Sequence, residues 1–176
     1  DSYTLTFPSP GIYEVQASGT IPRIYFNNGG DRDKILTIEQ WGDSAWTNMT
    51  QSFYGASNLR IPAIDAPDLS GVTSMQGMFR RAIDFNSPIN HWDVSNVVNT
   101  SELFTEAISF NQPLDSWDVS NVTQARWMFY GRNIGPNVFN QDISNWNTAS
   151  VTNMSLMFAV SNFDQQLNNW DVSNVT

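Results

Sequence analysis

Cysteine is missing from all 176 residues, which removes disulfides, thiol catalysis and thiolate metal sites at once. Cations are scarce as well. Lys34 is the one lysine, and Lys plus Arg number 8 against 17 acids, for a net charge of −9. A nucleic-acid backbone would find no basic stripe to follow. His91 is the sole histidine, so a Ser-His-Asp triad, or most zinc sites, would have to be built on it. No apolar run approaches the ~18 residues that a membrane-spanning helix needs. An initiator Met is lacking too: the first residue is Asp1, which reads as the start of a mature piece or a cut fragment.

What the chain has in abundance is repetition. Trp92-Asp93-Val94-Ser95-Asn96-Val97 returns at Trp117–Val122 and again at Trp170–Val175, with a looser copy at Trp146. Starts fall at positions 41, 67, 92, 117, 146 and 170, leaving spacings of 26, 25, 25, 29 and 24. Pro67 stands where a Trp is expected, but its flanks keep register. Phe follows each start by twelve residues (Phe53, Phe79, Phe104, Phe129, Phe158), and an aliphatic precedes it by three (Ile38, Ile64, Ile89, Leu114, Ile143, Leu167). A further large apolar residue comes later in each unit: Leu59, Phe85, Phe110, Phe139 and Phe163. The longest insertion lies in Gly131–Val138, and a point of the period that tolerates insertion is a loop. A period of a few tens of residues means like units, each burying its apolar side against the next.

Within a unit, Trp117 and Val119 alternate with Asp118 and Ser120 as in a strand. Val122, Ala125, Met128 and Phe129 then fall at helical spacing, as do Val151, Met154, Met157 and Phe158. The expected fold is therefore an α/β solenoid, a leucine-rich-repeat-like right-handed coil. Each repeat of ~25 residues contributes one parallel strand and one short helix. Residues 38–176 make five repeats plus a partial sixth. Residues 1–37 read as an N-terminal β cap over the first repeat, with strands at Tyr3–Phe7, Gly11–Ala17 and Thr20–Phe26.

The strings Phe110–Thr123 (F-N-Q-P-L-D-S-W-D-V-S-N-V-T) and Val151–Phe158 (V-T-N-M-S-L-M-F) resemble the roughly 25-residue repeats of BspA-like surface proteins. Such repeats also occur in mycoplasmal surface lipoproteins and large bacterial adhesin-type chains. The resemblance runs from about Gly19 to the end. It implies an extracellular or cell-surface repeat region, of leucine-rich-repeat type, that serves adhesion or protein and ligand binding or acts as a presenting arm. It brings no catalytic residues. Gly11-Ile12-Tyr13-Glu14-Val15 is also similar to the closing strand of polycystic-kidney-disease-type β-sandwich domains.

Candidate interaction residues follow from the columns. Asp68, Asp93, Asp118 and Asp171 should stack on the outer face. Two exposed unit charges ~5 Å apart repel by somewhat less than ~1 kcal/mol in water, a cost the chain accepts repeatedly. The local explanation is an Asx-type turn in which Asp accepts a backbone N–H, worth about 1 kcal/mol. The alternative is a cationic partner, or calcium bridging neighbours in a structural extender. Trp127 breaks a column otherwise holding Gln51, Gly77, Glu102 and Leu156, and with Tyr130 it reads as an exposed aromatic contact. The remaining Trp ladder (Trp41, Trp92, Trp117, Trp146, Trp170) faces inward with Val and reads as core.

His91 takes a position that other repeats fill with Ser116, Asn145 and Asn169, so the chain reads as non-enzymatic. Glu102 and Glu106 read as a solvated face. Expected partners are a protein or glycan on the acidic face, together with a second copy at the uncapped C-terminal repeat; neither nucleic acid nor membrane insertion is expected.

Overall fold

The computed structural model describes residues 5–19, 21–132 and 134–176. Its repeats stack in the expected register, but not as an α/β coil. Among the described residues there is no α-helix and no strand longer than a single bridge residue. One 3₁₀ turn, Arg32–Lys34, is the only helical element among the described residues. The expected strand and short helix in each repeat are thus overturned, and with no sheet the leucine-rich-repeat solenoid goes with them.

The backbone gives the reason. In the segment expected to be strand, i→i−3 turns interrupt extension: the Trp117 N–H donates to the Leu114 carbonyl at 3.1 Å and the Val122 N–H to the Val119 carbonyl at 2.9 Å. In the segment expected to be helix, left-handed residues recur. Gln51, Gly77, Glu102, Trp127 and Leu156 have φ of 56°, 60°, 61°, 59° and 54°. Four residues on, Gly55, Arg81, Glu106 and Val160 do so again, at 80°, 54°, 58° and 53°. A right-handed helix cannot run through such residues. The spacing of three that mimicked a helix comes from successive turns, such as Met128 N–H to Ala125 carbonyl (3.3 Å) and Tyr130 N–H to Trp127 carbonyl (3.2 Å).

N–H groups between those turns point out of the repeat and into the next one. Phe79 donates to the Leu103 carbonyl at 3.0 Å, Phe104 to Met128 at 2.9 Å and Phe129 to Met157 at 2.9 Å. Single parallel bridges at Ser74, Asn99, Gln124 and Asn153 link the same repeats in sequence. Peptide groups are therefore satisfied without a sheet, as burial demands.

Aromatic ladders fill the interior. Phe53, Phe79, Phe104, Phe129 and Phe158 stack at 5.5–5.8 Å between ring centroids. A second ladder, Phe85, Phe110, Phe139 and Phe163, runs beside it at 5.7–6.1 Å. The two are paired in the four units that carry both rings, at 4.0–4.1 Å. Such pairs add about 0.5–1.5 kcal/mol each beyond the area they bury. The Trp ladder is core, as expected: Trp92, Trp117 and Trp146 are buried. The Trp117, Trp146 and Trp170 indoles each donate to the carbonyl of an aliphatic one repeat earlier, Ile89, Leu114 and Ile143, at 3.0 Å. Pro67 breaks this ladder. Trp41 reaches past it to meet Trp92 edge-on at 5.4 Å, the Trp92 indole nitrogen has no partner, and Ile64 is 97% exposed rather than in its column.

The expected N-terminal β cap is also corrected. Residues 5–19 contain no strand, and the Tyr3–Thr4 end of the first expected strand, like Thr20, lies outside the described residues. Ile12 is 87% exposed and Leu5 61%, so their alternation meets no second layer. Irregular chain at residues 22–28 covers the first repeat instead. Phe26 and Asn28 donate N–H groups to the Ser52 and Tyr54 carbonyls at 3.2 and 2.9 Å, and the Arg23 guanidinium donates to the Thr50 carbonyl at 3.1 Å.

Candidate functional site

The Asp column lies where the sequence placed it, outward and exposed. Each carboxylate is turned back on its own chain. Asp68, Asp93, Asp118 and Asp171 accept the N–H of the Ser two residues on, at 3.0, 3.0, 3.0 and 2.9 Å. Asn147 does the same towards Ala149 at 3.3 Å. These are Asx turns, the local explanation of the column. Their charge is held firmly. The hydroxyls of Ser70, Ser95 and Ser120, and after them the backbone N–H groups, draw Asp68, Asp93 and Asp118 below the ordinary carboxylate range. For Asp171 the backbone N–H of Ser173 leads and its hydroxyl follows. The charge of Asp118 works against this at Asp93, so these two neighbours feel each other.

Two further carboxylates went unnoticed in the sequence. Asp142 forms the same turn with Ser144 at 2.9 Å, and the Ser144 N–H, then its hydroxyl, lowers its pKa. Asp65 is partly desolvated, which raises its pKa. The N–H groups of Gly42 and Trp41 and the nearby His91 outweigh that, and the net direction is down. The Asp-x-Ser spacing was the available signal for Asp142; nothing local marked Asp65, whose partners lie a repeat away. Among the described residues no three His, Asp or Glu side chains converge as a metal site.

Trp127 and Tyr130 do come together, with ring centroids 5.6 Å apart. Both are half-buried rather than fully presented, and the Arg126 guanidinium lies over the Trp127 ring at 3.9 Å. Glu102 and Glu106 are not a solvated face. Arg80 pairs with Glu102, Arg81 pairs with Glu106 at 3.5 Å, and the Glu106 side chain is only 7% exposed. His91 is exposed, and its Nε2 lies 3.4 Å from the Asp65 carbonyl oxygen.

An Asn ladder was also missed. Asn86 Oδ1 accepts the Asn111 N–H at 2.9 Å and the Gln112 amide at 3.1 Å. Asn111 serves Asn140 and Gln141 at 2.9 and 3.0 Å, and Asn140 serves Asp164 and Gln165 at 2.8 and 3.1 Å. The recurring Phe-Asn dipeptide was its signal. These amides hold neighbouring repeats in register along a polar edge.

Interlocked repeats, with the Phe ladders inside and the Asp row outside, define a repeat protein. The chain belongs to the family described as Mycoplasma protein of unknown function, DUF285, which matches residues 25–137 and 135–176. No curated protein and no solved structure matches it.

Proposed function

We propose that this is a non-enzymatic, cell-surface repeat module of the BspA-like kind, presenting its acidic face to a protein or glycan partner. The supporting observation is the Asp row: exposed carboxylates in four of the six repeat positions, Asp68, Asp93, Asp118 and Asp171, with Asn147 in the gap, each Asp accepting the N–H of the Ser two residues on. A rigid core sets their spacing, so a partner meets a fixed pattern of charge and not a mobile tail. Trp127 and Tyr130, backed by Arg126, add an aromatic contact on the same molecule.

Purified protein should bind a subset of immobilised extracellular-matrix proteins or arrayed glycans, and the binding should weaken with salt. The double variant Asp93→Asn/Asp118→Asn keeps the turn acceptors and removes the charge, so its fold should stand and its binding fall about tenfold or more. Unchanged binding by that variant would move the contact off the Asp row. No binding to any surface would leave the role of a presenting arm.

A further inference from the structure

Charge is distributed unevenly around the repeat. The net charge is −9, yet residues 74–83 and 124–132 contain no acid and carry Arg80, Arg81, Arg126 and Arg132. Both stretches hold the same part of the period, the turns on either side of Phe79 and of Phe129. The repeat between them puts Glu102 and Glu106 there, but both are engaged inside the stack. Arg80 pairs with Glu102, whose side chain is 17% exposed, and Arg81 pairs with Glu106 at 7%. What reaches solvent on this face is the cation: the Arg81 side chain is 42% exposed, and Arg126 and Arg132 are exposed.

Arg126 is the best placed of these. Its guanidinium lies over the Trp127 ring at 3.9 Å, with Tyr130 5.6 Å from that ring. No carboxylate pairs with it among the described residues. A guanidinium held on an aromatic ring is stabilised as a cation and keeps N–H donors free for a carboxylate. Trp127 takes this place at φ 59°, where the repeat two layers earlier has Gly77 at 60°. A left-handed Trp costs free energy that glycine does not, and strain of this kind collects at binding sites.

We infer that this cation–aromatic face docks the Asp row of a second copy of the chain, side by side. The charges are complementary, exposed guanidinium groups against exposed carboxylates. The spacing fits as well, because both rows follow one period. Arg81 and Arg126 lie two layers apart, and the Phe79–Phe104 and Phe104–Phe129 steps between those layers are 5.7 and 5.5 Å. Asp68 and Asp118 are also two layers apart, as are Asp118 and Asp171. A copy set alongside brings a carboxylate to each cation with neither backbone changed. The two surfaces use different parts of the repeat, so the contact is heterologous and each copy keeps one surface of each kind free. A net charge of −9 opposes approach, so the association is weak. It needs no foreign partner and does not rest on the cell-surface reading.

Sedimentation velocity on the whole chain tests this, from about 10 μM to about 1 mM protein and in about 0.15 M and about 1 M NaCl. The sedimentation coefficient should rise with concentration at the lower salt and stay flat at the higher. Arg126→Glu and Asp93→Asn/Asp118→Asn should each weaken association at least about tenfold. Mixed one to one they should form a heterodimer, since the first keeps the Asp row and the second keeps the cation. Thermal melts check that both variants fold. The Asp→Asn pair removes negative charge, so general repulsion cannot account for a loss in that variant. Three results would overturn the inference: a wild type that stays monomeric throughout, association that survives either variant, or a mixture that does not dimerise. Binding of a foreign partner by the Asp row is read separately on immobilised ligands, so either reading can fail without the other.

Discussion

Residues 5–19 and residues 92–143 both alternate apolar and polar side chains, yet they end up in opposite states. In the N-terminal stretch Leu5, Ile12 and Val15 are 61%, 87% and 56% exposed. In the repeats Trp92, Val94, Phe104, Phe110 and Trp117 are 3% exposed or less. Hydrophobic pattern alone does not bury anything; a neighbour of matching shape does. Each repeat finds that neighbour in its own copy, whereas Phe7 finds only Tyr13, stacked at 4.4 Å. A stack of like units turns every internal contact into one that is made again in the next layer.

The sharpest way to break the comparison is to empty one layer. Phe104 is fully buried against Phe79, Phe110 and Phe129, so Phe104→Ala should cost about 3–5 kcal/mol in urea unfolding. The same change at Phe7, 45% exposed, should fall within about 0.5 kcal/mol. Gly131→Ala should come next. A Cβ there would lie 2.1 Å from the Val160 carbonyl oxygen and 2.7 Å from the Asn137 nitrogen and the Gly135 oxygen. Backbone must then shift, at a cost of about 1–3 kcal/mol, read as a lower thermal midpoint. Gly29, where an added Cβ meets nothing nearer than 3.4 Å, should tolerate Ala better.

Acid should act on the repeats through the Asp row. The folded pKa values of Asp68, Asp93, Asp118, Asp142 and Asp171 lie below the ordinary value. Their contribution is therefore fully present above that ordinary value and is lost as pH falls through the depressed folded values. Stability from urea melts should be level from neutral pH down to about 5 and then decline, with a shallower decline in Asp93→Asn/Asp118→Asn. The smallest effect expected is a gain. Val160 is a β-branched residue at φ 53° and is 55% exposed, and Val160→Gly should raise stability by up to about 1 kcal/mol.

Reading the columns located the core well. The Phe ladders, the inward Trp residues and the outward Asp residues all followed from position within the period, because a residue type that recurs at one position recurs in one environment. The local conformation did not follow. Helical spacing at Val122, Ala125, Met128 and Phe129 arose from consecutive turns, and the left-handed residues that separate those turns are Gln, Glu, Trp, Leu, Arg and Val more often than Gly. Residue type gave no warning there, since the geometry is imposed by bonds to the adjacent repeat. Glu102 and Glu106 misled for the same reason: their partners, Arg80 and Arg81, lie a repeat away.

The sequence by itself determined the period, the register between copies and the inward side of the Phe columns, all of which depend on which residue type recurs at which position. Only the tertiary structure decided that the described residues form no α-helix and no sheet, that the Asn ladder locks the repeats, and that alternate N–H groups around each buried Phe donate to the next repeat. Those features belong to the contact between repeats, where backbone groups of different units satisfy each other, and a backbone N–H is the same in every residue that has one.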